Sequence, residues 1–288
     1  MNGRALRKPL SRKLLAWLLF VVAFVVLTLL TQVGGVILIL AVLAVRLAVP
    51  KSSPGWRRAV TGLILFAGLY AAASAWLVPP LAALAGRIPL PCYAEPGRAF
   101  AAASPIYCAL NRNYVDARLA RLLSELSRNI DAAFPGTVTL YLDANFPFFN
   151  GFPLVPHLSH GDGRKLDMAY YYAAPDGTYL AGATRSPIGY FAFEQPGPSD
   201  PPQCPPRWLT LRWDLNALQS LYPDRPIDPV RTRAALRWLT SEGEKFDVER
   251  LFIEPHLAAR YGVASPLLGF QGCRAARHDD HIHVQIKK

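Results

Sequence analysis

The chain has six histidines, and five of them fall into two short clusters. The first reads His157-Leu-Ser-His160-Gly-Asp-Gly-Arg-Lys-Leu-Asp167. The second reads His278-Asp-Asp-His281-Ile-His283 and ends five residues before the C-terminus. Imidazoles combined with a carboxylate are a donor set for a divalent cation. A catalytic zinc takes three such protein ligands and keeps a fourth position open. On a strand, residues i and i+2 share a face, so His281 and His283 project together while Ile282 turns into the core. Asp167 lies near the start of another apolar run that can pair beside that strand. His160 precedes it on a glycine-rich loop that can fold back. His160, Asp167 and His283 then supply the zinc ligands. His281 stands beside the ion, placed to take a proton from water or to stabilise an oxyanion. Asp279 or Asp280 can accept a hydrogen bond from an imidazole and fix its orientation.

These residues need elements to hold them. Val115, Leu119, Leu122, Leu123, Leu126 and Ile130 recur at helical spacing, and Pro135-Gly136 stops that helix. Thr137–Leu142, Lys165–Tyr172 and His281–Ile286 read as strands. Asp214 and Asp228-Pro229 are predicted helix starts, and Phe246–Tyr261 holds a further short element. Residues 173–207 are rich in Pro, Gly and Ser and read as long loops. Helices and strands alternate without a repeating unit. The expectation is an α+β domain over residues 88–288, built on an antiparallel sheet.

The first third differs in kind. Residues 1–94 carry ten Lys or Arg and no Asp or Glu, whereas residues 95–288 carry 21 basic and 20 acidic residues. The net charge of +11 therefore belongs to the first third and describes no nucleic-acid-binding face on the rest. Apolar runs predict a transmembrane region over 1–87, with spans at about 14–31, 34–50 and 60–85. Arg4 to Lys13 and Arg46 to Arg58 then lie in the cytoplasm, and the domain after the third span lies outside. A cleaved signal peptide, or two spans with a cytoplasmic domain, are the alternatives. All four cysteines follow the last apolar run and suit an oxidising compartment. Of three possible pairings, closeness in sequence favours Cys92–Cys108, which leaves Cys204–Cys273.

The full spacing His-x-x-His-x6-Asp, followed far downstream by His-x-x-His-x-His, resembles that of the zinc D-Ala-D-Ala and lysostaphin-type peptidases. It is most similar to that of the penicillin-insensitive murein endopeptidases. The resemblance rests on about seventeen residues at two places, with a fainter likeness over Arg250–Arg260. It implies zinc on His160, Asp167 and His283, with His281 and His278 assisting catalysis. His157 would sit at the rim, orienting substrate or helping a second metal. The implied fold is of the Hedgehog/DD-peptidase type, and the implied substrate is a peptide bond in peptidoglycan involving D-alanine. Lys165 departs from the pattern, since the family has a small or acidic residue there. A cation on that face would oppose the metal or meet a substrate carboxylate, and it favours a non-catalytic, zinc-containing cell-wall sensor as the rival reading. Arg112 and Arg164 are candidates for a substrate-binding arginine. No HExxH helix, Walker loop or GxSxG elbow occurs.

Overall fold

The structure, a computed structural model, describes residues 11–198, 200, 204, 210, 212, 217 and 220–288. The helix start predicted at Asp214 lies outside the described residues. The chain divides into two compact units, Met1–Leu77 and Val78–Lys288.

The first unit is helical. Helix α1 (Arg12–Thr31) is capped by Ser11, whose side chain accepts from the Leu14 N–H. A tight turn leads to α2 (Gly34–Ala48), and α3 (Gly55–Ala72) follows. The glycine pair at the turn is a packing requirement. A Cβ on Gly35 would fall 2.1 Å from Thr28 Oγ1, and one on Gly34 would fall 2.6 Å from Thr31 Oγ1. Among the described residues, two helices are long and apolar enough to cross a membrane, Arg12–Thr31 and the run Gly55–Leu84. The latter carries a π turn at Ala73–Leu77. Pro79 and Pro80 follow directly and remove two N–H donors, which a π turn accommodates.

The second unit is a mixed α+β domain. It begins with α4 (Val78–Leu84), which packs with β1 (Ile88–Pro89). The other strands are β2 (Phe100–Ala102), β3 (Tyr114–Val115), β4 (Thr139–Tyr141), β5 (Lys165–Ala169), β6 (Val248–Phe252), β7 (Leu268–Gly269) and β8 (His281–Ile286). Six of them form one sheet in the order β2-β4-β5-β8-β6-β7. The four central strands pair antiparallel, as expected, but β2 and β7 join the two edges parallel. The β2–β4 connection contains α5 (Pro105–Ala109) and α6 (Ala117–Ala133), and the β6–β7 connection contains α8 (Pro255–Tyr261), so the sheet is mixed where an antiparallel one was expected.

Leu119, Leu122, Leu123, Leu126 and Ile130 of α6 are all buried, at roughly 1.5–3 kcal/mol each. Asp116 caps that helix. Asp228 caps α7 (Pro229–Glu242), accepting from the Val230 and Arg231 N–H groups, with Pro229 at the first position. The core continues through Leu166, Met168, Ile282 and Val284 on one face of β5 and β8. Both expected disulfides are present, Cys92–Cys108 with Cα atoms 6.0 Å apart and Cys204–Cys273 at 5.4 Å. They fit an oxidising compartment.

Candidate metal centre

The register of β5 on β8 creates the site. Asp167 pairs with His283, and Ala169 pairs with His281. Because side chains alternate along a strand, Asp167, His281 and His283 share the face opposite the Met168–Ile282 core. The loop before β5 returns His160 to that face. Exposure of these four side chains is 1% for His160, 1% for Asp167, 2% for His281 and 4% for His283.

Three ligand atoms form a small triangle. His283 Nδ1 is 2.8 Å from Asp167 Oδ1, His160 Nε2 is 3.1 Å from His283 Nδ1, and His160 Nε2 is 3.2 Å from Asp167 Oδ1. Ligands about 2.0–2.1 Å from a tetrahedral zinc stand about 3.3 Å apart, so one ion fits this triangle. His160 Nδ1 lies 2.7 Å from the Ala144 carbonyl. A carbonyl only accepts, so Nδ1 carries the hydrogen and Nε2 keeps the lone pair a metal needs. Burial holds the His283 ring neutral, with a pKa lowered to about 4 against the pull of Asp167. Burial pushes the Asp167 carboxyl up, but the neighbouring His160 and His281 outweigh it and hold its pKa well below the usual carboxylate range.

His157 also approaches. One ligand atom from each of His157, His160 and Asp167 lies within 4.8 Å of the others, a buried group that could bind a metal ion. His157 Nδ1 is 3.1 Å from Asp167 Oδ2 and 3.2 Å from Asp143 Oδ2, within ion-pair range of both but aligned for a hydrogen bond with neither. Burial would lower its pKa, but the two carboxylates raise it to about 10. That shift favours a protonated ring in the absence of an ion, and a cation bound there would displace the proton. Asp143 is anchored by Arg112, with Nε to Oδ1 at 2.6 Å and Nη2 to Oδ2 at 2.7 Å. Arg112 thus braces the site from behind through Asp143.

His281 stands beside the triangle. Its Nδ1 hydrogen-bonds Asp280 Oδ1, and its Nε2 faces Asp167 Oδ1 at 3.7 Å. Asp280 Oδ2 accepts the Phe191 N–H at 2.7 Å. Phe191 has φ +67°, a conformation costing on the order of 1–3 kcal/mol in a non-glycine residue, and the bond to Asp280 helps to offset it. Asp279 instead pairs with Arg277, so only one of the two candidate aspartates orients the imidazole. Beside Phe191, the Tyr190 hydroxyl donates to Asp167 Oδ2 at 2.6 Å. Burial and then the Asp167 charge raise the Tyr190 pKa, so its proton stays on. His278 is buried, its ring centroid 4.8 Å from that of His281 and 5.6 Å from that of His283. Burial, then the neighbouring His281 and His283 rings, keep its pKa well below the usual histidine value. A cavity of about 130 Å³ opens over the triangle, with Gln271, Ala275 and His278 on its wall.

Lys165 begins the same strand as Asp167, but its Nζ is 2.8 Å from Asp162 Oδ2. Arg164 holds the same carboxylate at 2.8 Å. Neither cation opposes the metal triangle, because Asp162 at the loop turn takes both. His256 lies apart from the cluster, with Nε2 on the Glu194 carbonyl at 2.9 Å. Sequence reasoning did not find Tyr190 or Asp143. Tyr190 sits in a Pro- and Gly-rich stretch without periodicity, and Asp143 follows a strand in which nothing marks it. Compared with known proteins, the chain matches no family model and no curated protein sequence.

Proposed function

We propose that the chain is a membrane-anchored zinc peptidase whose ligands are His160, Asp167 and His283, acting on peptide bonds of peptidoglycan at D-alanine-containing cross-links. The observation that carries this reading is the 2.8–3.2 Å triangle of ligand atoms with His281 Nε2 directed at the same carboxylate. The murein substrate and the Hedgehog/DD-peptidase fold rest on the resemblance of the two histidine clusters.

Zinc supplies Lewis acidity, which polarises a carbonyl and brings the acidity of water to near neutral pH. The chain's own residues do the rest. Asp280 fixes the His281 tautomer, leaving Nε2 to take the proton of the attacking water and return it to the departing amine. Tyr190 and the Ala144 carbonyl hold Asp167 and His160 in place from outside the triangle.

The domain is read as extracytoplasmic, after three spans. Gly34–Ala48 is short for a span, about 22 Å against the roughly 30 Å of a bilayer core. The positive-inside pattern and the exposed Trp17 and Trp56 near the basic ends, with Trp76 at the other end, support it.

The test is to incubate the full-length chain in detergent with purified cross-linked peptidoglycan and count new amino termini. They should appear, vanish with a chelator and return with added zinc. A metal-loaded chain that releases none would rule out the hydrolase.

A further inference from the structure

The first unit contains a second cavity, of about 550 Å³, walled by all three of its helices. That lies within the roughly 300–1,000 Å³ of small-molecule sites. Its walls are apolar, with Leu27 from α1, Leu38 and Val42 from α2, and Phe66 from α3. Two cations also line it. Arg46 belongs to the last turn of α2, and Arg58 to the first turn of α3. A short connection through Val49–Pro54 reverses the chain between them, so both stand at one end of the cavity.

Neither guanidinium has an ion pair or hydrogen bond among the described residues. No Asp or Glu exists anywhere in residues 1–94, so this unit has no acid to offer them. A pair of guanidinium groups at the mouth of an apolar cavity is complementary to a phosphate diester attached to hydrocarbon. From Arg46 back to Leu38 the cavity follows about 12 Å of helix, enough for much of an acyl chain.

We propose that this cavity binds one acidic phospholipid, with its phosphate between Arg46 and Arg58 and an acyl chain along Leu38, Val42, Leu27 and Phe66. The inference rests on the reading of these helices as membrane spans, and it is independent of the metal centre. Basic pockets between spans on the cytoplasmic side recognise anionic head groups by the same physics.

The experiment takes the full-length chain in nanodiscs of phosphatidylcholine with a small fraction of phosphatidylglycerol. Native mass spectrometry then reads the lipid retained on release. Wild type should keep one phosphatidylglycerol, preferred by at least about tenfold, a charge-assisted bond being worth more than 1.4 kcal/mol. Arg46→Gln with Arg58→Gln should abolish the preference. Lys51→Gln with Arg57→Gln, two nearby cations that do not line the cavity, should keep it. Equal loss in both double variants would mean bulk surface charge and overturn the site. A wild type with no preference, one in which inorganic phosphate displaces the lipid, or a lipid-free dimer would also overturn it. Alkaline carbonate extraction of membranes checks the span reading separately. A chain released by carbonate defeats that reading, whereas a chain that is retained without lipid preference defeats only this proposal.

Discussion

The two sides of the metal centre are held by different forces. On the strand side, Asp167 and His283 face each other because β5 and β8 pair in one register, and a slip of one residue would turn one of them into the core. On the loop side, the Ala144 carbonyl holds His160, the carboxylates of Asp143 and Asp167 face His157, and the Tyr190 hydroxyl donates to Asp167 and accepts from the Asp143 N–H. The strand side is fixed by the backbone ladder and the core beneath it. The loop side is fixed by polar side chains that are themselves buried. Asp167 is the hinge between them, since Oδ1 faces the strand-side ligand and Oδ2 takes the loop-side tyrosine.

That contrast sets an order of effects. Asp167→Ala removes the group common to both sides, so metal and turnover should both vanish, as read by metal analysis and release of amino termini. His281→Ala lies on the strand but outside the triangle. It should keep the metal and lose about 10²–10⁴-fold in kcat, the range for a general base. Loss of metal in this variant would place His281 among the ligands. Tyr190→Phe and Asp280→Asn act through a ligand or through His281, so each should cost about 10–100-fold. In Asp280→Asn the loss should fall on kcat with zinc content unchanged. If Tyr190→Phe matches wild type, the loop side contributes no more than shape.

The smallest effect concerns the turn that joins the sides. Burial pushes the Asp162 carboxyl up, but hydrogen bonds from Lys165 and Arg164 outweigh it and hold the pKa at about 2. A carboxyl lowered from 3.8 stabilises the fold above that pH and loses the contribution as pH falls through about 2. The Tm difference between wild type and Asp162→Asn should be constant from pH 7 to about pH 5 and close below it. A difference independent of pH would mean that the charge of Asp162 is immaterial.

The strand side was legible in the sequence, because period-2 alternation in His281–Ile286 and a polar residue inside KLDMA announce which side chains share a face. The helix start at Asp228 was legible for a related reason, as capping is local chemistry. The disulfide pairing followed from separation alone. The parallel edge strands β2 and β7 were not legible, being two or three residues long and dependent on long-range pairing. Tyr190 and Asp143 were hidden because a loop's side-chain contacts leave no period. Lys165 misled, since its partner Asp162 comes from the preceding turn and not from the strand on which its face was judged.

The most direct test is the zinc content of the purified full-length chain at neutral pH, beside His283→Ala and His157→Ala. Wild type should hold one zinc per chain, His283→Ala none and His157→Ala about one. A wild type without bound metal, or a His283→Ala chain that keeps its zinc while His157→Ala loses it, would contradict the His160–Asp167–His283 centre.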